Sequence, residues 1–285
     1  MLRLVNNFAV ETADMKTYEW PRVVLRSFKK TGFAVLKNHE IPKDLIEAAY
    51  IQWAEFFKTD DKFKYLSKDG QNGYFPMKSE NAKGNPVKDL KEFYHIFYPF
   101  ENAPSGISAL TTQSLGMKLL EIARKILWEA QKEIPKGLSN LQGETLQNMV
   151  KDSGSTLLRV LHYPPLSEDA EKGAVRAAAH EDINLITLLV AATQPGLQVQ
   201  DLSGEWHDVE CEPGTIVVNV GDMLQEASGG LFKSTPHRVI NPVGENVSRY
   251  SMPLFVHPRP ESVLSERYTA GQYLEERLKE LGLIK

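Results

Sequence analysis

The sequence has a single cysteine, Cys211, no surplus of basic residues and no long apolar segment. One cysteine cannot close a disulfide within the chain, which excludes a disulfide-stapled scaffold and predicts a reducing, cytoplasmic location. Lys and Arg together number 33 against 37 Asp and Glu, giving a net charge of −4. Without a basic excess, nucleic acid is not expected as a partner.

Membrane insertion and secretion are also disfavoured. The longest nearly unbroken apolar run, Leu185 to Ala192, is far shorter than the roughly 20 residues that cross a bilayer. The first residues, MLRLVNNFAVETAD, lack the apolar core of a signal peptide. With 285 residues, of which 42% are hydrophobic, the chain can instead bury a substantial core of its own.

Helical periodicity marks the first part of the chain and its end. In KDLIEAAYIQWAEFFK, apolar side chains recur every three or four residues, which predicts a helix with one buried stripe. The preceding run GFAVLKN predicts a short strand. A second amphipathic stretch, from about Leu115 to Ala130, predicts a scaffold helix, and helical spacing returns from about Glu266 to Leu283.

From Ser155 onward, short apolar and β-branched runs alternate with Gly, Pro, Asn and Asp, at spacings typical of an antiparallel sandwich or barrel. The runs are STLLRVLHY, INLITLLVAA, GLQVQD, EWHDVE, GTIVVNVG, HRVIN and RYSMPLFVH. We therefore predict a mainly β fold with flanking helices. The predicted division is an N-terminal region at 1–100, packed on a core at 101–285 that includes the scaffold and C-terminal helices.

One set of residues has the composition of a metal site. In RAAAHEDINLITLLV, His180 and Asp182 are two residues apart in or beside an extended run, so their side chains project to the same face. A third ligand must come from another strand, and His237 in KSTPHRVINP is the best candidate. Two histidines and one carboxylate form the facial triad of non-haem Fe(II), which leaves coordination positions open for small molecules. The alternative, a coincidence of polar core residues, would bury an unpaired carboxylate at high cost.

Further along the chain, Arg249 and Ser251 share a strand face in RYSMPLFVH. A guanidinium binds a carboxylate through two parallel hydrogen bonds and a neighbouring hydroxyl can donate a third, so this pair predicts an anchor for a carboxylate. Tyr163 in LHYPP could add a hydroxyl, or could simply pack at the end of its strand. The alternative for Arg249 is a structural ion pair with an acid such as Asp201 or Asp222.

The remaining polar and aromatic candidates are assigned structural roles. Asn219, in VVNVGD, is predicted to shape a turn. Phe255 shares a strand face with Arg249 and either lines a pocket or packs in the core. Four histidines are interpreted as packed or surface residues: His39, His95, His162 and His257.

Several segments resemble those of the iron- and 2-oxoglutarate-dependent dioxygenases of the isopenicillin N synthase-like superfamily. They are RVLHYPP, AHEDINLITLL, GLQVQDLSGEWHDVEC, PGTIVVNVGDMLQEASGGLFKSTPHRVINP and RYSMPLF, with GFAVLKNHEIPKDLIEAA, NGYFPM and DLKEFYHI upstream. The resemblance covers roughly residues 5 to 260. It implies a double-stranded β-helix, or jelly roll, that holds Fe(II) at one open end.

The resemblance also implies the roles of the candidate residues. His180, Asp182 and His237 would ligate the iron, 2-oxoglutarate would chelate it, and the Arg-x-Ser pair, with the nearby tyrosine, would hold the distal carboxylate of this co-substrate. Reaction with O2 would release succinate and CO2 and would most simply hydroxylate a small-molecule substrate; desaturation and ring closure are variations. Ascorbate is a candidate reductant.

Two positions depart from the family pattern, and two other functions stay open. Glu181 stands where a small hydroxylic residue is usual, and Leu161 stands where plant members often carry asparagine. Neither is a ligand position. One alternative is an iron oxidase that needs no 2-oxoglutarate and uses the arginine and serine for a substrate carboxylate; the other is a non-catalytic metal-binding module. The sequence identifies neither the substrate nor the oligomeric state.

Overall fold

Twelve strands in two sheets make up the β structure of the computed structural model, which describes residues 8–80, 88–138, 143–166, 175–242, 245–280 and 282. The strands are β1 (Glu11–Asp14), β2 (Phe33–Lys37), β3 (Gly73–Phe75), β4 (Glu92–Phe97), β5 (Leu157–Tyr163), β6 (Ala177–His180), β7 (Ile186–Val190), β8 (Leu197–Gln200), β9 (Trp206–Asp208), β10 (Ile216–Val220), β11 (His237–Val239) and β12 (Arg249–Val256).

Helices lie between and after these strands. They are α1 (Trp20–Thr31), α2 (Lys43–Lys58), α3 (Ala109–Glu133), α4 (Leu146–Met149), α5 (Asp222–Ala227), α6 (Ala270–Glu280) and a short 3-10 helix at Asp60–Tyr65. The two predicted helices in the first half are confirmed, and the C-terminal one is confirmed as α6, although its predicted end lies outside the described residues. In the part of the chain that is described, no helix combines the length and apolar character needed to cross a membrane.

Local sequence explains where two of the helices begin or end. Ser108 caps α3, because its side chain accepts a hydrogen bond from the Thr111 backbone N–H. Pro21 occupies the first turn of α1, where no N–H is needed. The same helix ends at Gly32, whose φ of 72° lies in the left-handed region and whose N–H bonds to the Phe28 carbonyl.

The larger sheet has eight strands in the order β1-β2-β10-β7-β12-β5-β4-β3, and the smaller has four in the order β6-β11-β8-β9. All pairs are antiparallel except β1 with β2. Strands from the N-terminal region thus flank both sides of the central strands β10, β7, β12 and β5. The predicted division of the chain at residue 100 stays a prediction.

The larger sheet is buried on both faces. In β10, Ile216, Val218 and Val220 belong to the cluster formed with α1, α2 and α3, whereas Val217 packs with Leu197 and other residues that join the two sheets. The same alternation occurs in β2, β5, β7 and β12. Because both faces of these strands are buried, their sequences are continuous apolar runs. Polar side chains that replace apolar ones on the inner face therefore point between the sheets.

Two sheets with helices packed on the outer face of the larger one form the expected jelly roll, so the predicted fold class is confirmed. The hairpin between β8 and β9 turns at Gly204, whose φ is 89°. Hydrophobic patterning does not predict strands β3 and β4, and the resemblance alone marks those segments. The charged Glu92 at the start of β4 obscures the strand signal in an otherwise apolar run.

Candidate metal centre and carboxylate site

The two candidate histidine ligands lie side by side in the smaller sheet. His180 ends β6, His237 begins β11, and the antiparallel register of these strands pairs the two residues directly. Their ring centres are 4.4 Å apart. Asp182 follows two residues after His180 in the loop that leads to β7, so it reaches the same point from beyond the strand end.

The ligand atoms of these three residues converge. The Asp182 Oδ1 atom lies 3.9 Å from His180 Nε2 and 3.7 Å from His237 Nε2, and the three ligand atoms are all within 4.8 Å of one another. In a facial triad the three ligand atoms are adjacent, so with metal bonds of about 2.1 Å they would lie roughly 3 Å apart, and both carboxylate distances are within about 1 Å of that spacing.

Hydrogen bonds orient both imidazole rings so that each Nε2 is free to bind a metal. The Nδ1 atom of His180 lies 2.8 Å from the Ala178 carbonyl oxygen, and that of His237 lies 3.2 Å from the Thr235 carbonyl oxygen. Because a carbonyl only accepts, each Nδ1 carries the hydrogen and each Nε2 keeps a lone pair directed toward Asp182. Burial, together with the neighbouring His237, lowers the pKa of His180 to about 4, so this ring is neutral at pH 7.

Asp182 uses its other oxygen for hydrogen bonds to the larger sheet. Its Oδ2 accepts from the Thr187 hydroxyl at 2.6 Å and from the Asn219 amide at 2.8 Å. Asn184 donates to the Thr187 hydroxyl at 2.9 Å, which leaves the hydroxyl hydrogen for Asp182. Burial acts to raise the pKa of Asp182, but the nearby imidazoles and these hydrogen bonds outweigh it and lower the pKa, which keeps the carboxylate ionised.

Sequence reasoning missed the role of Asn219 and Thr187. The turn predicted at Asn219 is wrong: the residue lies inside β10, on the face opposite Val218. An amide in the middle of an apolar strand needs a buried partner, and this signal could have identified it. The neighbouring Gly221 packs closely beneath, since a Cβ there would lie 2.2 Å from the Asn184 carbonyl oxygen.

The predicted carboxylate anchor lies in the larger sheet, where β12 and β5 pair. Arg249 is opposite Tyr163 in the register, and Ser251 is opposite Leu161. The guanidinium carbon of Arg249 is 5.1 Å from the ring centre of Tyr163, a cation–π contact. All three candidate residues, Arg249, Ser251 and Tyr163, are buried.

The guanidinium of Arg249 has unused hydrogen-bonding capacity. Its Nε donates to the Gln194 carbonyl at 3.0 Å, whereas its buried Nη1 has no hydrogen-bond partner. No acid within the described residues forms an ion pair with Arg249. The alternative role, a structural ion pair, therefore has no support among those residues. A buried donor without a partner costs free energy unless a ligand accepts from it.

Next to this anchor, Phe93, Arg159 and Phe255 form a surface that we call the aromatic wall. The guanidinium carbon of Arg159 lies 4.7 Å from the Phe93 ring centre and 5.3 Å from that of Phe255. Its Nε donates to His95 Nε2 at 2.7 Å, and its other nitrogens contact Glu80. The aromatic wall lies on the same inward-facing side of the larger sheet as the anchor. Phe255 therefore contacts a polar surface rather than an all-apolar core.

The two positions that depart from the family pattern border the candidate site, and a second polar cluster lies in the β8–β9 hairpin. Glu181 is exposed, and Leu161 is buried between the sheets. Asp201, Glu205 and His207 form a second close group, but Asp201 accepts hydrogen bonds from the Glu205 backbone and the Ser203 side chain, and lies 2.9 Å from His207 Nε2. These contacts describe the hairpin turn between β8 and β9.

Two family models match the chain. The model of the 2OG-Fe(II) oxygenase superfamily matches residues 154–258, which include the triad, the anchor and the strands that carry them. The model of the N-terminal region of non-haem dioxygenases in morphine synthesis matches residues 16–114. The match to the first model coincides with the strands that sequence patterning assigned to the β core.

Solved structures are similar over nearly the whole chain. A Shewanella oneidensis protein described as an oxygenase is 45% identical with a TM-score of 0.85, over 96% of this chain and 99% of its own. A 2OG-Fe(II) oxygenase family protein from Caulobacter crescentus is 31% identical with a TM-score of 0.79 and the same coverage. A full-length Neurospora crassa protein, solved in complex with alpha-KG, is 25% identical with a TM-score of 0.77, over 94% of this chain and 95% of its own.

The chain therefore belongs to the 2OG-Fe(II) oxygenase superfamily, within its isopenicillin N synthase-like branch. It is a non-haem iron oxidoreductase, a 2-oxoglutarate-dependent dioxygenase that uses Fe(II), 2-oxoglutarate and O2 on a small molecule. The expected family, fold, enzyme class and cofactors are thereby confirmed. The donor set agrees with this class, because two imidazole nitrogens and one carboxylate oxygen suit Fe(II).

Proposed function

We propose that His180, Asp182 and His237 are the Fe(II) ligands of this dioxygenase. The observation that carries the proposal is the convergence of two Nε2 atoms and one carboxylate oxygen. The other polar atoms of the same side chains are engaged in hydrogen bonds outside this cluster. Three protein ligands on one side of an ion leave positions for a bidentate 2-oxo acid and for dioxygen.

We further propose that Arg249, Ser251 and Tyr163 bind the distal carboxylate of 2-oxoglutarate. The free Nη1 of Arg249 supports this role, because a carboxylate oxygen can accept its hydrogen and compensate the buried charge. Ser251 lies on the same strand face and Tyr163 directly across the strand pair, so both hydroxyls can reach the same group.

In the proposed reaction, one oxygen atom of O2 enters succinate, the other hydroxylates the substrate, and CO2 leaves. The bound iron would supply the activation of dioxygen. The chain itself orients Asp182 through Thr187 and Asn219, keeps His180 neutral, and fixes the co-substrate by its far end. The aromatic wall offers the substrate a partly apolar, partly cationic surface beside the co-substrate.

The test compares His180→Ala with the matched variant His207→Ala, which removes a histidine of the β8–β9 hairpin. Iron content after anaerobic loading and release of succinate from 2-oxoglutarate are measured for both. We expect His180→Ala to lose bound iron and turnover together and His207→Ala to keep both. Retained iron and turnover in His180→Ala would reject the ligand assignment.

A second measurement separates this function from an iron oxidase that needs no 2-oxoglutarate. Adding 2-oxoglutarate to the anaerobic Fe(II) protein should produce a metal-to-ligand charge-transfer band. Succinate should then form in proportion to the O2 consumed. Oxygen consumption without any decarboxylation would favour the oxidase.

We also propose a cytoplasmic location and no nucleic-acid or membrane partner. The support is compositional: one cysteine, a net charge of −4 and no long apolar run. Fractionation of the native host with an antibody against the chain tests the location.

A further inference from the structure

A second arginine is buried beside the proposed co-substrate anchor. Arg176 precedes β6 and is only 1% exposed, so it is among the most deeply buried large side chains of the protein. Its Nη2 donates to the Val247 carbonyl at 2.7 Å, and Val247 lies two residues before Arg249. The next residue, Ala177, packs in the same cluster as Tyr163. Arg176 thus lies at the start of β12, beside the anchor.

Like Arg249, Arg176 has a buried donor without an acceptor. Its Nε atom is inaccessible to solvent and has no hydrogen-bond partner. No acid within the described residues forms an ion pair with it. Burial, and then the positive charge of Arg249, lower the pKa of Arg176, whereas the Tyr163 hydroxyl acts in the opposite direction. Two guanidiniums therefore share one buried region in which no carboxylate of the described residues forms an ion pair with either of them.

Such an arrangement is expensive for the ligand-free protein. A buried charge is normally paired and hydrogen-bonded, and like charges in a low-dielectric region repel one another. A purely structural role in contacting the Val247 carbonyl would need neither the full positive charge nor the unpartnered Nε. An anion that accepts from both guanidiniums would compensate both deficits at once.

We propose that Arg176 is a second guanidinium of the co-substrate site and donates, together with Arg249, to the distal carboxylate of 2-oxoglutarate. This inference rests on the proposed function of Arg249. The carboxylate has two oxygens and about four acceptor positions, enough for the free nitrogens of both arginines and for the hydroxyls of Ser251 and Tyr163. Arg176 would thus be a positioning residue that selects five-carbon 2-oxo diacids over shorter monoacids.

The test compares two ligands that differ at the far end. 2-Oxoglutarate and 2-oxobutanoate present the same 2-oxo acid group to Fe(II), but 2-oxobutanoate lacks the distal carboxylate. Their dissociation constants are measured anaerobically through the charge-transfer band, in wild type and in Arg176→Met, Arg249→Met and Arg238→Met. Arg238 is the matched control, because its guanidinium stacks on Trp206, 4.1 Å from the ring centre, in the smaller sheet.

For Arg176→Met, we expect 2-oxoglutarate to bind roughly 10- to 100-fold more weakly, the loss of a charged hydrogen bond, while 2-oxobutanoate binding changes by less than about twofold. Arg249→Met should behave in the same way, and Arg238→Met should change neither ligand. A merely structural Arg176 would weaken both ligands equally or neither, which would overturn the inference.

The outcomes separate this inference from the proposed function. If Arg249→Met loses selectivity for 2-oxoglutarate and Arg176→Met does not, only the role of Arg176 is rejected. If neither variant loses it, the anchor itself is wrong. Should Arg176→Met not fold, Arg176→Lys carries the same test, because lysine keeps the charge but cannot serve both the Val247 carbonyl and the ligand in the geometry of a guanidinium. Unchanged selectivity in Arg176→Lys would then contradict the inference.

Discussion

The carboxylate of Asp182 divides its two oxygens between the two sheets. Oδ1 lies between the imidazoles of the smaller sheet, while Oδ2 is held by Thr187 and Asn219 of the larger one. The two hydrogen bonds fix the rotation of the carboxylate, so in the proposed metal centre the oxygen that faces the imidazoles would not have to be ordered when an ion binds. Outer hydrogen bonds of this kind are part of metal affinity.

We therefore predict that removing these hydrogen bonds weakens metal binding without removing a ligand. Thr187→Val and Asn219→Ala should each lower the affinity for Fe(II) by about 10- to 100-fold, measured by anaerobic titration calorimetry. Thr156→Val is the matched control, since this buried threonine bonds to the His257 carbonyl instead. Wild-type affinity in both Asp182 partner variants would contradict the prediction.

For single residues, the sequence is informative about spacing and uninformative about supporting contacts. The two-residue separation of His180 and Asp182 and a histidine on a later strand predict that three donor groups meet. Strand register pairs the two histidines, whereas Asp182 reaches them from the loop after β6. Thr187, Asn219 and Arg176 are not predictable as site residues in this way. Their roles depend on which buried groups face them across the sheets, and the order of the chain does not contain that information.

Strand β4 ties several elements together through one buried acid. Glu92 contacts Lys62 of the 3-10 helix at 2.9 Å, His162 of β5 at 2.7 Å and the Tyr74 hydroxyl of β3. Burial acts to raise the pKa of Glu92, but the hydrogen bonds from His162, Tyr74 and Lys62 lower it overall. A carboxylate whose pKa is lowered by folding stabilises the folded state above its unfolded pKa, and this contribution is lost as pH falls through the folded value.

Glu92→Gln should therefore cost about 1.5–3 kcal/mol of unfolding free energy at pH 7, and less as the pH falls below about 4.5. Urea unfolding at pH 7, 5, 4 and 3.5 measures the difference. Glu129→Gln, which removes an exposed ion pair with Lys132, should stay within about 0.5 kcal/mol of wild type. A Glu92 difference that does not change with pH would refute the electrostatic explanation.

Sequence patterns predict long elements better than short ones. Helix α3 shows apolar periodicity over several turns, so its existence is clear from the sequence. Its predicted bounds are too short at both ends, most of all at the start, which the Ser108 cap fixes. Helices α4 and α5 have 4 and 6 residues, too few to display a period. The three-residue strand β3 forms because β4 offers it an edge, which is a tertiary cause.

At the scale of the whole molecule, bound Fe(II) and 2-oxoglutarate should link the two sheets and stabilise the fold. The proposed metal ligands belong mainly to the smaller sheet, whereas the proposed carboxylate anchor belongs to the larger. With Fe(II) bound, 2-oxoglutarate at about 100 times its Kd should add about 2.7 kcal/mol to the stability. For a chain of this size that raises Tm by roughly 5 °C. Anaerobic differential scanning calorimetry measures the shift.

His180→Ala is the control for this prediction, since it should keep the fold but lose most of the 2-oxoglutarate-dependent increase in Tm. An equal increase in wild type and variant would mean that 2-oxoglutarate binds somewhere other than the proposed centre.

The outermost strands of the larger sheet have a consequence for shortened versions of this protein. Strands β1 and β2 cover one side of the central four, and β4 and β3 cover the other. A chain that started after residue 100 would leave β10 and β5 with bare backbone donors and acceptors along their full length. Exposed edge strands of this kind pair with strands of other molecules. A fragment shortened to the triad and the anchor would therefore be expected to aggregate rather than to act as a minimal catalyst.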